Sequence, residues 1–154
     1  MLKKKLQEEL KQSMLARDAV KTSVLRMLLS AVNYYEIRKE GAGYSATDED
    51  VISVIQKEVK QRKDSIEQFQ KGGRQDLVDK ETKELEMLQV YLPQQMSEDE
   101  IKNLVQEAIN QIGAKTMADM GKVMGVLMPK IKGKADGGLV SRIVKGTFQS
   151  VMLN

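Results

Sequence analysis

Residues 97–113, SEDEIKNLVQEAINQIG, contain the clearest folding signal in the chain. Ser97 stands three residues before Glu100, the spacing of a capping box, in which each side chain accepts a hydrogen bond from the other residue's amide. Gly113 follows at a point where glycine commonly ends a helix. Between them the apolar residues fall on one helical stripe: Ile101, Leu104, Val105, Ala108, Ile109 and Ile112. The segment therefore predicts a helix with both ends defined.

The same helical period extends through most of the chain. Leucines spaced by four mark a first helix at the N-terminus, and residues 19–38 form a longer, more apolar second one. Thr47 is placed to cap a third helix that ends near Gly72, and a leucine-rich fourth continues to Pro93. Sustained apolar–polar alternation is missing, and aromatic residues make up only 4% of the chain. The predicted fold class is all-α.

A domain boundary is predicted near Pro93. The segment YLPQQMSEDE combines a helix stop with a newly capped helix start. We therefore expect a multihelical N-terminal domain, residues 1–94, followed by a small C-terminal three-helix domain, residues 95–154.

Several kinds of site chemistry are excluded by composition. The chain has no cysteine, histidine or tryptophan. It therefore cannot form disulfides, bind a metal through thiolate or imidazole, or use histidine as an acid or base. We expect neither a metal nor a cofactor.

The N-terminal sequence MLKKKLQEEL bears on location. It lacks the apolar run of a secretory signal, and the acidic Glu8 and Glu9 disfavour a mitochondrial presequence. No window approaches the roughly 20 apolar residues of a membrane span. We expect a cytoplasmic protein that does not associate with membranes.

Residues 121–138, GKVMGVLMPKIKGKADGG, are unusual in placing two glycines in an apolar helix. The helix is predicted to begin near Thr116, and Pro129 is expected to end or kink it. Gly121 and Gly125 line up with Ala118 as a small-residue face. A glycine costs about 1 kcal/mol relative to alanine inside a helix, so this face calls for a close approach of another backbone. That backbone is either a neighbouring helix, which is the commoner explanation, or a sugar-phosphate chain.

Positive charge is concentrated at the C-terminal end of the chain. From Gly113 onward there are seven basic and two acidic residues, a net charge of +5, whereas the remaining 18 basic and 20 acidic residues give −2. Lys130, Lys132 and Lys134 are expected on a loop where Gly133 gives the backbone freedom. This asymmetry suits either a contact with a polyanion or a solvated loop.

A second basic cluster, Lys57, Lys60, Arg62 and Lys63, lies on the third helix. Acidic residues are interleaved with it, so a charged helix surface with internal ion pairs is the first interpretation and a secondary RNA contact is the second.

The chain resembles the YqeY family over nearly its whole length. The C-terminal stretch MADMGKVMGVLMPKIKGKADGGLVSRIVK looks like the signature of that family, and it is similar to the tail of the B subunit of glutamine-dependent aspartyl/glutamyl-tRNA amidotransferase. The resemblance extends upstream through LRMLLSAVNYYEI and through residues 57–101. It implies a helical N-terminal domain followed by a small helical C-terminal domain.

In the amidotransferase the related tail is associated with binding the tRNA substrate. Carried over to this chain, the resemblance implies RNA-facing side chains at Lys122, Lys130, Lys132, Lys134 and Arg142. It also implies that Gly121, Gly125 and Gly133 shape the surface that the RNA backbone approaches. Pro129 departs from the tail, which commonly continues with polar residues at this point.

Catalytic machinery is not recognisable in the sequence. The chain has neither a glycine- and serine-rich amidase signature nor a phosphate-binding loop, because GKADGG lacks the required spacing. The acidic clusters at residues 48–50 and 98–100 fall in first helical turns, where carboxylates favour the helix dipole over a Mg²⁺ site. A link to carbon–nitrogen ligase activity with glutamine as amido-N donor would therefore mean association with that reaction. We expect no catalytic residue.

The leading hypothesis is a noncatalytic module that binds tRNA or associates with a tRNA amidotransferase. Its partners would be tRNA and either amidotransferase subunits or another protein. The alternative is a protein-interaction adaptor whose methionines at residues 117–128 form a groove for a partner helix. A small-molecule transferase is a third hypothesis and would need a pocket with convergent polar groups.

Overall fold

The computed structural model describes residues 1–40 and 43–153, and it confirms the all-α fold class. No strand occurs within those residues. The elements in chain order are α1 (Leu2–Leu15), α2 (Ala19–Glu40), α3 (Asp48–Lys71), α4 (Gln75–Gln89), α5 (Glu98–Ile112), a 3₁₀ turn (Met117–Asp119), α6 (Met120–Ile131) and α7 (Gly137–Leu153). None of the helices in the described ranges combines the length and apolar character needed to cross a membrane.

The predicted helix ends are formed by side chains close in sequence. Thr47 accepts a hydrogen bond from the Asp50 amide at 3.2 Å, and Asp50 accepts one from the Thr47 amide at 3.0 Å. Ser97 accepts from the Glu100 amide at 3.2 Å. Gly113 ends α5 in the left-handed conformation, with φ at 71°. These contacts satisfy amides and carbonyls that a helix end otherwise leaves unpaired.

The chain divides into two compact units, which we call the N-terminal unit (Met1–Leu92) and the C-terminal unit (Pro93–Asn154). The domains predicted from sequence, residues 1–94 and 95–154, stay a prediction about how the protein folds. Each unit has its own apolar core.

The N-terminal unit packs α1 to α4 around leucine, valine and isoleucine side chains. The fully or almost fully buried members are Leu6, Val24, Leu25, Leu28, Leu29, Val32, Val51, Val54, Ile55, Val59 and Leu88. Burying such side chains contributes about 1.5–3 kcal/mol each. Apolar burial therefore holds the four helices together.

Glu36 ties α1, α2 and the segment before α3 together. Its carboxylate accepts two hydrogen bonds from the Lys3 ammonium, at 2.7 and 2.9 Å, and one from the Ala46 amide at 2.8 Å. The residue is only 8% exposed. The Ala46 amide first, and Lys3 second, hold the pKa of Glu36 below its ordinary value.

Asp50 is a second junction, at the start of α3. One of its oxygens accepts from the Tyr35 hydroxyl at 2.9 Å, and the other accepts from the Tyr44 hydroxyl at 2.5 Å. The Tyr44 hydroxyl is the main reason that the pKa of Asp50 lies well below its usual range. The carboxylates of this first helical turn therefore serve structural contacts.

The C-terminal unit packs α5, α6 and α7 around a core of apolar side chains. The buried members are Ile101, Val105, Ala108, Ile109, Val123, Leu127, Ile131, Val140, Val144 and Phe148. Four of them belong to the stripe predicted for α5. The predicted α5 helix is confirmed, and its stripe faces the core of this unit.

Pro129 was expected to end or kink α6, and the first of these alternatives is wrong. The helix continues through Pro129 to Ile131, and its regular part begins at Met120, after a 3₁₀ turn that follows Thr116. Proline removes a hydrogen bond to the carbonyl four residues earlier, which is that of Gly125. Both residues are exposed, so water can reach that carbonyl and reduces the cost of the missing bond.

Candidate nucleic-acid interface

One line of residues on the outward face of α6 has no large side chain. Gly121, Gly125 and Pro129 are spaced by four residues and are all exposed, whereas Val123 and Leu127 on the opposite side are buried. A Cβ placed on Gly121 or Gly125 would meet no atom of the described residues within 4 Å, outside its own stretch of helix backbone and its chain neighbours. Of the two alternatives, packing against a neighbouring helix is not supported for these two glycines by the residues that the structure describes. The helix backbone at Gly121 and Gly125 forms a bare strip that faces outward.

The segment after α6 carries the predicted basic loop, and its conformation is fixed from below. Gln95 donates from its side-chain amide to the Gly133 carbonyl at 2.9 Å, and the Met96 amide donates to the Lys134 carbonyl at 2.9 Å. Lys132 and Lys134 are exposed on this loop, whereas the expectation that Lys130 belongs to the loop is wrong, because Lys130 is exposed in the last turn of α6. The segment leading into α5 therefore holds the backbone that carries Lys132 and Lys134.

Gly133 does not face outward as predicted. It is buried and has a φ of 77°, a left-handed conformation that favours glycine. Its carbonyl is already occupied by Gln95. Gly133 thus allows the turn that carries the lysines, but its backbone is not available for close approach by a ligand.

Two further predicted RNA-facing residues lie on the helices beside the loop. Lys122 is exposed in the first turn of α6, and Arg142 is exposed on α7. Asp119, just before α6, accepts from the Lys115 amide at 3.0 Å and from the Thr116 amide at 3.4 Å. These backbone amides, with a smaller contribution from Lys122, lower the pKa of Asp119. The carboxylate is thus occupied in shaping the entry to α6.

The methionines predicted to line a groove do not form one continuous surface. Met120 and Met124 are partly buried and pack against the core of the C-terminal unit. Met117 and Met128 are 38% and 44% exposed. Core packing therefore accounts for the two in the middle of this stretch.

One member of the second basic cluster, Arg62, is buried. Arg62 is 6% exposed and pairs with Glu58 on α3 at 2.9 Å and with Glu84 on α4 at 3.5 Å. Of the two interpretations of the cluster, these contacts favour ion pairing over an RNA contact for Arg62, because its guanidinium is enclosed within the N-terminal unit. Lys57, Lys60 and Lys63 are exposed on α3 and are the part of the cluster that a ligand can reach.

Sequence reasoning did not single out Tyr34 and Arg38 on α2. They are four residues apart, and the Arg38 guanidinium lies 5.7 Å from the centre of the Tyr34 ring. The signal was present in NYYEIRKE, residues 33–40, where two tyrosines precede two basic residues by four positions each.

Within residues 1–40 and 43–153, no group of three or more acidic side chains is arranged to hold a metal ion.

Comparison with known sequences identifies a family and several relatives. The sequence profile of a family described as "Yqey-like protein" matches residues 3–148. Several curated relatives are named "Altered inheritance of mitochondria protein 41, mitochondrial". The one from Pyrenophora tritici-repentis is 32% identical over 145 residues, which cover 92% of this chain and 77% of that protein.

Two yeast relatives match over shorter stretches. The protein from Vanderwaltozyma polyspora is 34% identical over 112 residues, 71% of this chain and 60% of that protein. The protein from Saccharomyces cerevisiae strain YJM789 is 37% identical over 89 residues, 58% of this chain and 47% of that protein. The chain thus spans between about half and three quarters of the length of these relatives.

The expectation of a cytoplasmic location is contradicted by these relatives, which are named as mitochondrial proteins. That expectation depended on two acidic residues near the N-terminus. Targeting signals are separate segments that are removed from mature proteins, so local composition within a matching domain is a poor guide to compartment.

Proposed function

The chain belongs to the YqeY family, and from that premise we propose that it is a tRNA-binding module without catalytic activity of its own. The proposed surface is on the C-terminal unit and consists of the outward face of α6 with the loop that follows it. Association with a tRNA amidotransferase is part of the same proposal, because the family resemblance links this unit to the tail of that enzyme's B subunit.

The observation that carries the proposal is the pair of exposed glycines, Gly121 and Gly125. A helix that needed only to fold would be more stable with alanine at both positions, since neither side chain would meet an obstacle. A bare strip of helix allows the backbone of a partner to come within contact distance. Surface lysines next to the strip favour a partner whose backbone is negatively charged.

Electrostatics supports a phosphate partner. Lys130, in the last turn of α6, and Lys132 and Lys134, on the loop that follows it, are exposed at alternate positions, and Lys122 is next to Gly121. Each phosphate that such a lysine neutralises releases counterions, so binding weakens steeply as salt rises. All four tyrosines belong to the N-terminal unit, so the C-terminal unit has none on which bases could stack. The proposed recognition is therefore of RNA shape and phosphates rather than of sequence.

The test is binding of purified full-length protein to bulk tRNA at about 50 and about 200 mM salt. The variant replaces Lys130, Lys132 and Lys134 with alanine. Its matched control replaces three exposed lysines of the N-terminal unit, Lys4, Lys11 and Lys80, so that the net charge changes equally. We expect the loop variant to lose about tenfold in affinity at low salt and to show a shallower salt dependence, because up to three phosphate contacts are removed.

Equal losses in the two triple variants would mean that net charge alone drives binding, and would contradict the assignment to this loop. No binding at low salt would refute the RNA proposal. In that case the exposed Met117 and Met128 would direct attention to a protein partner, to be sought with Met128→Ser as the test variant.

A further inference from the structure

A cleft of about 540 Å³ lies between α2 and α3 of the N-terminal unit, whereas the surface proposed for tRNA belongs to the C-terminal unit. Ala31 and Val54 contribute apolar side chains to its wall, and Tyr34, Tyr35, Arg38 and Lys57 contribute rings and cations. Pockets that hold small ligands are about 300–1,000 Å³ and combine an apolar lining with a few polar groups. The cleft has the size and the mixed chemistry of a ligand site.

The two tyrosines of the cleft have different roles. Tyr35 is fixed, since its hydroxyl donates to Asp50 at 2.9 Å and accepts from Lys39 at 3.2 Å. Tyr34 is 62% exposed, an unusual exposure for a large aromatic side chain. Its ring contributes little to the core, and a flat group could stack on the face of the ring that the Arg38 guanidinium does not cover.

The cations of the cleft are available to an anion. Among the described residues, Arg38 and Lys57 form no ion pair, although Arg38 lies over the Tyr34 ring. The acidic residue of the lining, Glu58, is occupied by the buried Arg62 at 2.9 Å. A phosphate entering the cleft would therefore meet Arg38 and Lys57, beside a carboxylate, Glu58, that shares the Arg62 guanidinium with Glu84. The third cation of the lining, Lys39, pairs with Asp50 at 3.5 Å.

We propose that this cleft binds a nucleotide, with the base against the Tyr34 ring and the phosphate between Arg38 and Lys57. A flat aromatic group joined to a phosphate is the ligand that uses both features at once, because the ring stacks and the cations pair with the anion. Two sources supply this chemistry: a free mononucleotide, and an unpaired nucleotide within an RNA strand. The proposal stands independently of tRNA binding by the C-terminal unit.

The test is a titration of the full-length protein with AMP, with inorganic phosphate, with adenosine and with a ten-nucleotide oligoadenylate RNA. Binding is followed by amide chemical shifts in NMR at about 50 mM salt, where phosphate contacts are strong. The Lys130, Lys132 and Lys134 triple alanine variant serves as the background for the RNA arm, so that the loop of the C-terminal unit does not contribute. The variants are Tyr34→Ala, Tyr34→Phe and Arg38→Gln, with Ile37→Ala as the control, since Ile37 is 64% exposed on the same helix.

We expect AMP or the oligonucleotide to shift resonances of α2 and α3. Tyr34→Ala and Arg38→Gln should each weaken that binding about fivefold or more, while Tyr34→Phe and Ile37→Ala keep it. Binding of AMP would identify a free nucleotide as a sufficient source, and binding of the oligonucleotide alone would identify an RNA strand. If neither binds, or if inorganic phosphate binds as well as AMP and Tyr34→Ala has no effect, the nucleotide proposal is wrong.

Discussion

The N-terminal unit draws charged groups into its interior, whereas the C-terminal unit keeps them outside. Five polar or charged side chains are buried in the N-terminal unit: Ser13, Thr22, Glu36, Arg62 and Glu84. Every buried side chain described in the C-terminal unit is apolar. The basic residues of the C-terminal unit, from Lys122 to Arg142, are exposed. Buried charges thus form ion pairs inside the N-terminal unit, whereas the basic side chains of the C-terminal unit lie at its surface.

This difference explains why similar-looking lysine- and arginine-rich segments have different fates. A buried charge is tolerated only when a partner is close, as Arg62 is to Glu58 and Glu84. An exposed lysine costs little and is free to pair with a ligand. The contrast predicts large stability effects from charge changes in the N-terminal unit and mainly binding effects in the C-terminal unit.

The largest expected effect is that of Arg62→Ala. Removing the guanidinium leaves Glu84, which is 8% exposed, as a buried carboxylate without its partner. Breaking a buried ion pair from one side costs about 3–5 kcal/mol of unfolding free energy. Urea denaturation followed by tyrosine fluorescence measures it selectively, because all four tyrosines belong to the N-terminal unit and the chain has no tryptophan.

The matched control is Lys63→Ala, which removes one positive charge from the next position on α3, where the side chain is exposed. We expect a change within about 0.5 kcal/mol. A loss of similar size in both variants would show that net charge on α3, rather than burial, determines the cost, and the proposed contrast between the units would fail.

A smaller effect is expected for Glu36→Gln. The variant keeps Oε1, which accepts from both the Ala46 amide and Lys3, but it replaces Oε2 with an NH₂ group that cannot accept from Lys3, and it removes the negative charge. This should cost about 2 kcal/mol at pH 7. The pKa of Glu36 is lowered in the folded protein, so the contribution of the ionised carboxylate is fully present above the unfolded value, about 4.3. It is lost as the pH falls through the folded value.

Denaturation curves of the wild type and of Glu36→Gln should therefore converge as the pH falls below about 4. Glu8→Gln, on the exposed part of α1, serves as the control and should follow the wild type at every pH. If the difference in unfolding free energy between the wild type and Glu36→Gln stays the same at acid pH, the shape of the Glu36 side chain, rather than its charge, determines its contribution.

The helices could be predicted because their signals are local. Thr47, Ser97 and Gly113 define helix ends through contacts within four residues, and the apolar stripe of α5 is visible in the sequence alone. The continuation of α6 past Pro129 is less predictable, because the rule that proline ends a helix assumes that the lost hydrogen bond is costly. Its partner carbonyl, on Gly125, lies on an exposed face, and exposure depends on tertiary packing.

The candidate sites were less predictable, since they depend on partners far apart in sequence. Arg62 was grouped with surface lysines by its charge, although it follows Val59 by three residues on the buried stripe of α3. Its partner Glu84 belongs to another helix. The cleft beside Tyr34 likewise needs α2 and α3 side by side, which no local pattern specifies. The lysine loop was found because composition alone shows its charge.

The smallest stability effect, and the one that tests the C-terminal unit most directly, is that of Gly125→Ala. The added methyl group meets no other atom and removes the helix penalty of glycine. The free energy of opening that hydrogen exchange measures for the α6 amides should therefore rise by about 1 kcal/mol. If an RNA backbone contacts the exposed backbone of α6 at Gly121 and Gly125, the same methyl group should weaken tRNA binding by about fivefold, the equivalent of about 1 kcal/mol.

The control is Gly72→Ala in the N-terminal unit, where the backbone is right-handed and the new Cβ would make only ordinary contacts, at 3.5 Å or more. It should leave tRNA binding unchanged. A more stable Gly125→Ala protein that binds tRNA as the wild type does would contradict a role for this glycine in ligand approach. Greater stability with weaker binding would mean that the chain keeps glycine at this position at the expense of its own helix, because a partner needs the space.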